Sequence, residues 1–155
     1  MRSIRTWVLV ADGSRARILR DPFSHAVSAE NLGELVFRAE QKRLREIMAD
    51  KPGKGFGASG ARRSSMEYHS DPIREDERAF ASMLVEVLNS HRMAGDFERL
   101  AIFASPEMLG DLRKALPDPL KNITVGEIAK DLTRLPASEL RLAVATLLER
   151  GRANA

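Results

Sequence analysis

Leu100-Ala101-Ile102-Phe103-Ala104-Ser105-Pro106 is the stretch that decides the fold. Five apolar residues in a row, with no polar alternation, describe a strand covered on both faces, as central parallel strands are. Ser105-Pro106 then starts a helix, since proline suits the first helical position, where the missing N–H would have no partner anyway. Met108, Leu109, Leu112 and Leu116 fall on one face of that helix, and Pro117 and Pro119 end it. A strand from Ile123 to Ile128 follows. Pro136 to Arg150 reads as a last helix striped by Leu140, Val144, Leu147 and Leu148, with Ser138 or Thr133 near its start. Strand, helix, strand, helix with crossover-length connections is the signature of parallel pairing.

Upstream the period is different. Residues 4–11 read as a strand, and Asp12-Gly13 is a hairpin dipeptide because both positions tolerate positive φ. Arg15 to Leu19 should therefore pair back antiparallel, and Gly33 to Arg38 supplies a third strand with Leu35 and Phe37 on one face. Residues 40–49 are charged and helix-compatible, with only Leu44, Ile47 and Met48 as apolar anchors. The clearest helix begins at Asp71, a good N-cap, followed by Pro72 and by Glu75, Asp76 and Glu77 near the positive end of the helix dipole. Phe80, Met83, Leu84, Val87 and Leu88 form its apolar stripe, with Gly95 just beyond.

The order βββ then αβαβα predicts a mixed α/β (α+β) fold: a five-stranded mixed sheet, antiparallel at first and parallel afterwards, covered by helices. A chain of 155 residues, 43% hydrophobic, suits one domain over 1–150 with a short tail at 151–155. The absence of cysteine removes disulfide frameworks, zinc ribbons and thiol nucleophiles. No apolar run approaches the roughly 18 residues of a membrane span or a secretory signal core, so a cytoplasmic location without membrane contact is the expectation.

Charge is concentrated. The formal balance of the chain is +3, yet Lys51 to Met66 carries Lys51, Lys54, Arg62 and Arg63 with no acid, leaving the remainder at −1. The same stretch holds Gly53, Gly55, Gly57 and Gly60 and has no periodicity, which predicts a long flexible loop over 51–65. Glycines allow close backbone approach to a phosphate chain, and four cations release counterions on binding RNA or DNA. The plainer reading is a solvated loop with incidental charge. Only Phe56 and Tyr68 lie near enough to stack on a base. Gly55-Phe56-Gly57-Ala58-Ser59-Gly60 matches G-x-G-x-x-G literally, but the charged segment before it is not the buried strand that a dinucleotide fold needs. His25, His69 and His91 have no i, i+4 partner. Asp12, ending the first strand, stands where a nuclease of RNase H-like type places a metal carboxylate, although its turn explains it more simply. Arg15 and Arg17 on the hairpin strand either extend the basic surface or line a solvated face.

The ordered set of motifs resembles a known family. Val10-Ala11-Asp12-Gly13-Ser14-Arg15-Ala16-Arg17, Asp50-Lys51-Pro52-Gly53-Lys54-Gly55-Phe56, Phe80-Ala81, Leu100 to Pro106, Leu109-Gly110-Asp111-Leu112-Arg113 and Lys130-Asp131-Leu132-Thr133 follow one another as in bacterial "host attachment" proteins, labelled as required for attachment to host cells. That family is similar in turn to the middle domain of archaeal and eukaryotic class 1 peptide-chain release factors. The resemblance implies an RNase H-like, release-factor-like fold and a basic glycine loop aimed at RNA. In the release factors that loop carries Gly-Gly-Gln; here Gly57-Ala58-Ser59-Gly60 stands in its place and no glutamine is present between Gly53 and Arg63.

The resulting expectation is a non-catalytic RNA- or ribosome-associated module without a cofactor or metal, contacting its partner through Lys51, Lys54, Gly55, Gly57, Gly60, Arg62 and Arg63. Two alternatives accompany it: a protein-interaction factor whose loop docks on an acidic protein partner, and a metal-dependent nuclease using Asp12. No motif encodes an oligomeric state.

Overall fold

The computed structural model describes residues 4–23, 33–39 and 71–153. The helix expected over 40–49, the glycine loop over 51–65 with all seven of its site residues, and His25 and His69 lie outside the described residues.

Five strands form one sheet: β1 (Thr6–Ala11), β2 (Arg15–Arg20), β3 (Glu34–Arg38), β4 (Arg99–Ala104) and β5 (Thr124–Ala129), in the order β3-β2-β1-β4-β5. β1 pairs antiparallel with β2 and parallel with β4; β2 pairs antiparallel with β3, and β4 parallel with β5. The mixed sheet expected from βββ–αβαβα is therefore present. Among the described residues four helices accompany it: α1 (Pro72–Met93), α2 (Pro106–Ala115), α3 (Asp118–Lys121) and α4 (Ala137–Ala153).

Alternation along the strands assigns the two faces. Trp7, Leu9 and Ala11 of β1, Ala16 and Ile18 of β2, and Leu100, Ile102 and Ala104 of β4 pack against Phe80, Leu84 and Leu88 of α1 and Met108, Leu109 and Leu112 of α2. Val8 and Val10 of β1, Leu19 of β2, and Ala101 and Phe103 of β4 pack instead against Leu140 and Val144 of α4. Residues 100–104 are unbroken apolar because β4 is covered from both sides, and all five are fully buried. On the α4 side no β3 residue joins the core, and Val36 is 64% exposed, so that face of β3 is open at the sheet edge.

The structure alters several local expectations. The Asp12-Gly13 turn uses no positive φ, since among the described residues only Asp21, Gly33 and Gly95 adopt one. Asp12 holds it instead: its Oδ1 accepts from the N–H groups of Ser14 and Arg15, both at 2.8 Å, as a side chain imitating a turn carbonyl does. Gly13 lets Glu77 come close: a Cβ there would lie 2.3 Å from Oε2 of Glu77, and the flexible end of that side chain would have to move aside. On α1, Ala81 and Val85 are buried while Met83 and Val87 are only partly so, a small rotation of the expected stripe. Pro117 and Pro119 do follow the end of α2, but Pro117 also caps α3 and Pro119 lies in its first turn, which buries Leu120. α4 continues past Arg150 to Ala153. Thr133 is not a cap of α4 but a buried polar residue in the loop before it.

Candidate functional site

Chain direction gathers the polar chemistry at one end of the sheet. β1, β4 and β5 run parallel, so Asp12, Ser105 and the Lys130–Thr133 stretch all lie beyond their carboxyl ends, where open α/β sheets bind ligands. β3 is antiparallel to β2 and so ends at the same side; the N–H of Ala39 donates to the carbonyl of Ser14 at 2.8 Å. α1 begins there too. Asp71 caps it by accepting from the N–H groups of Ile73 and Arg74, and Glu77, one turn further, closes on Gly13. The chain on either side of the basic segment thus returns to this end of the sheet, residue 39 bonding to Ser14 and α1, which Asp71 caps, meeting Gly13 through Glu77.

Three side-chain clusters surround that turn. In the first, Arg74 donates to both oxygens of Asp111, at 3.0 and 3.1 Å, and to Glu77 at 2.7 Å, with Glu107 at 3.3 Å. Asp111 is buried, and the guanidinium meets both oxygens of its carboxyl group with a bond to each. The guanidinium pKa is pushed further up, chiefly by the bonds to Asp111 and then by those to Glu77. A cleft of about 200 Å³ opens beside this cluster, between Gly13, Ser105, Pro106, Glu77 and Asp111.

The second cluster surrounds Arg17. Its Nε and Nη2 engage both oxygens of Glu34, at 2.6 and 2.7 Å, while Nη1 donates to the carbonyls of Thr133 (3.1 Å) and Leu135. With 14% of its side chain exposed, Arg17 is neither of the surfaces considered for it; it ties β2 and β3 to the loop before α4. In the third, the Thr133 hydroxyl lies 2.6 Å from Oδ1 of Asp131 and 3.2 Å from Oδ2 of Asp12. A hydroxyl has one proton, so the shorter contact is its donated bond. Among the described residues no three His, Asp or Glu gather as a metal-holding group; Oδ1 of Asp12 accepts from the two turn N–H groups, and Oδ2 has Nε of Arg15 at 3.5 Å. His91 sits at the opposite end of the sheet, its Nδ1 2.7 Å from Asp96 and its ring 4.8 Å from that of Trp7. A larger groove of about 680 Å³ also lies at that amino end, lined by Ile4, Phe23, Val125 and Leu148, away from all three clusters.

The sequence patterns assign no role to Asp111, Arg74 or Glu34. For Asp111 a signal exists, since an acid between Leu109 and Leu112 on an inward helix face needs a buried partner. The partner itself, 37 residues away, follows only from how α1 and α2 pack.

Fold and site together define a class: an α/β module with a mixed sheet, helices on both faces and its polar side chains collected at the carboxyl end of the parallel strands. A family model described as "Protein required for attachment to host cells" matches residues 7–144, and the chain belongs to that family. No curated protein matches it in sequence. Among the described residues no helix is long and apolar enough to cross a membrane.

Proposed function

We propose that this member of the host-attachment family is a non-catalytic, RNA-contacting module of release-factor-like kind, acting on ribosomal or other RNA through the basic glycine segment. Lys51, Lys54, Arg62 and Arg63 make the phosphate contacts in this reading, and Gly55, Gly57 and Gly60 let the backbone approach. The observation that carries it is the position of residues 39 and 71. Residue 39 bonds to Ser14, and α1, capped by Asp71, meets Gly13 through Glu77, so the segment between them, with its four cations and no acid from Lys51 to Met66, leaves from and returns to the sheet end where α/β folds take ligands. With Asp12 and Thr133 serving the turn and loop, and no glutamine from Gly53 to Arg63, binding without chemistry is the simpler assignment.

Sedimentation of cell extract, with and without ribonuclease, tests the proposal. The protein should travel with ribosomes or other RNA at low salt, be released by ribonuclease, and lose association when the four cations become alanine. Association that survives both ribonuclease and the quadruple substitution would contradict it, and retention on a defined acidic protein would favour the interaction-factor alternative.

A further inference from the structure

The β2–β3 register places Arg15 directly opposite Arg38. Directly paired residues of antiparallel strands share a face with Cβ atoms about 4.5–5.5 Å apart, and like charges there repel. Since Leu35 and Phe37 of β3 face the α1–α2 core, Arg38 and Arg15 stand on the α4 side, on the quarter of the sheet that α4 leaves open. The neighbouring arginine on the same strand face shows what a neutralised one looks like: Arg17 has Glu34 in a two-bond pair. Arg38 is exposed and has no ion-pair partner among the described residues. Arg15, 41% exposed, has only a 3.5 Å approach of its Nε to Oδ2 of Asp12, a carboxylate already accepting from two backbone N–H groups and beside the Thr133 hydroxyl. One acid, beside Arg15 alone, does not balance two arginines at directly paired positions.

We infer that Arg15 and Arg38 form a two-pronged site for a phosphate group. Two planar donor forks side by side suit a phosphate with several oxygens, and the pair stands at the same sheet end as residues 39 and 71, the two ends of the basic segment. On RNA the ligand is a backbone phosphodiester; free polyphosphate offers the same chemistry. As an RNA contact the site rests on the proposed function; as a phosphate site it does not.

The test follows arginine Nε–Hε resonances of the full ¹⁵N-labelled chain, first with inorganic tripolyphosphate and then with a short oligouridylate, with Arg15→Gln and Arg38→Gln for assignment. The Arg15 and Arg38 signals should shift saturably with tripolyphosphate, each variant should abolish the shift of the other arginine, and Arg92 at the far end should stay still. Signals that do not move, or an Arg38 shift unchanged by Arg15→Gln, would overturn the paired site. Tripolyphosphate shifts without oligouridylate binding to the native chain keep the phosphate site and sink the RNA reading. Oligouridylate binding whose salt slope is unchanged in the double variant sinks the site as an RNA contact and spares the reading; the expected fall in that slope is about 0.7, for the one phosphate that the two arginines share. Shifts produced by polyglutamate and not by either phosphate probe would overturn the phosphate assignment in favour of an acidic protein.

Discussion

Arg15 and Arg17 stand two residues apart on one strand face and have opposite physical situations. Arg17 is largely covered and held by Glu34 and two carbonyls, so removing its side chain strands a part-buried carboxylate. Arg17→Ala should therefore cost about 2–3 kcal/mol in urea unfolding, against about 0–1 kcal/mol for the solvated Arg15→Ala. Equal, small effects of the two would contradict the network around Arg17. Gly13 offers a second check, because its neighbour in space is the flexible end of Glu77. Its backbone has no positive φ, so alanine carries no conformational penalty of its own, and the cost of Gly13→Ala is the displacement of Glu77 from Arg74. A destabilisation of about 1 kcal/mol in the native background that vanishes in Glu77→Ala is the expected cycle; a penalty that persists there places the strain in the turn.

At the scale of elements, α1 has the widest consequences, because its first turn holds one end of the basic segment and its last turn packs beside Trp7. Asp71 satisfies two otherwise orphaned N–H groups. Asp71→Ala should lower stability by about 1 kcal/mol, read as a lower Tm with unchanged cooperativity, whereas Asp71→Ser should retain most of it. These elements are legible in the sequence where one rule dominates: the unbroken apolar run of β4, the cap and stripe of α1, and the alternation that turns Leu35 and Phe37 inward. Features that arise from contact between distant elements are not legible. Neither the Arg17–Glu34 pair, which depends on β2–β3 register, nor the Arg74–Asp111 pair, which depends on α1–α2 packing, leaves a local pattern. The Asp12 turn is legible for the wrong reason: the dipeptide suggests positive φ, while the side-chain oxygen provides the turn geometry. Pro117 and Pro119 read only as terminators because a four-residue helix is too short to show a period.

Over the whole molecule, charge is unevenly distributed along the chain. Outside Lys51 to Met66 the chain is faintly acidic, and some of that acid is engaged internally, in Glu34 with Arg17 and in Glu77 and Asp111 with Arg74. The four cations between Lys51 and Met66 belong to a segment that follows residue 39, next to Arg38 and bonded to Ser14, and precedes α1, which starts at the same end of the sheet. A protein built this way should bind polyanions with one strongly preferred face and a pronounced salt dependence. The binding constant for a short oligouridylate measured across a series of salt concentrations tests this most directly, comparing the native chain with the variant in which Lys51, Lys54, Arg62 and Arg63 are alanine. The account predicts a steep native slope that falls by about 2.8 in the variant, at about 0.7 for each phosphate that the variant leaves without a cation. Binding with the same slope in both proteins, or no binding by the native chain at low salt, would contradict it.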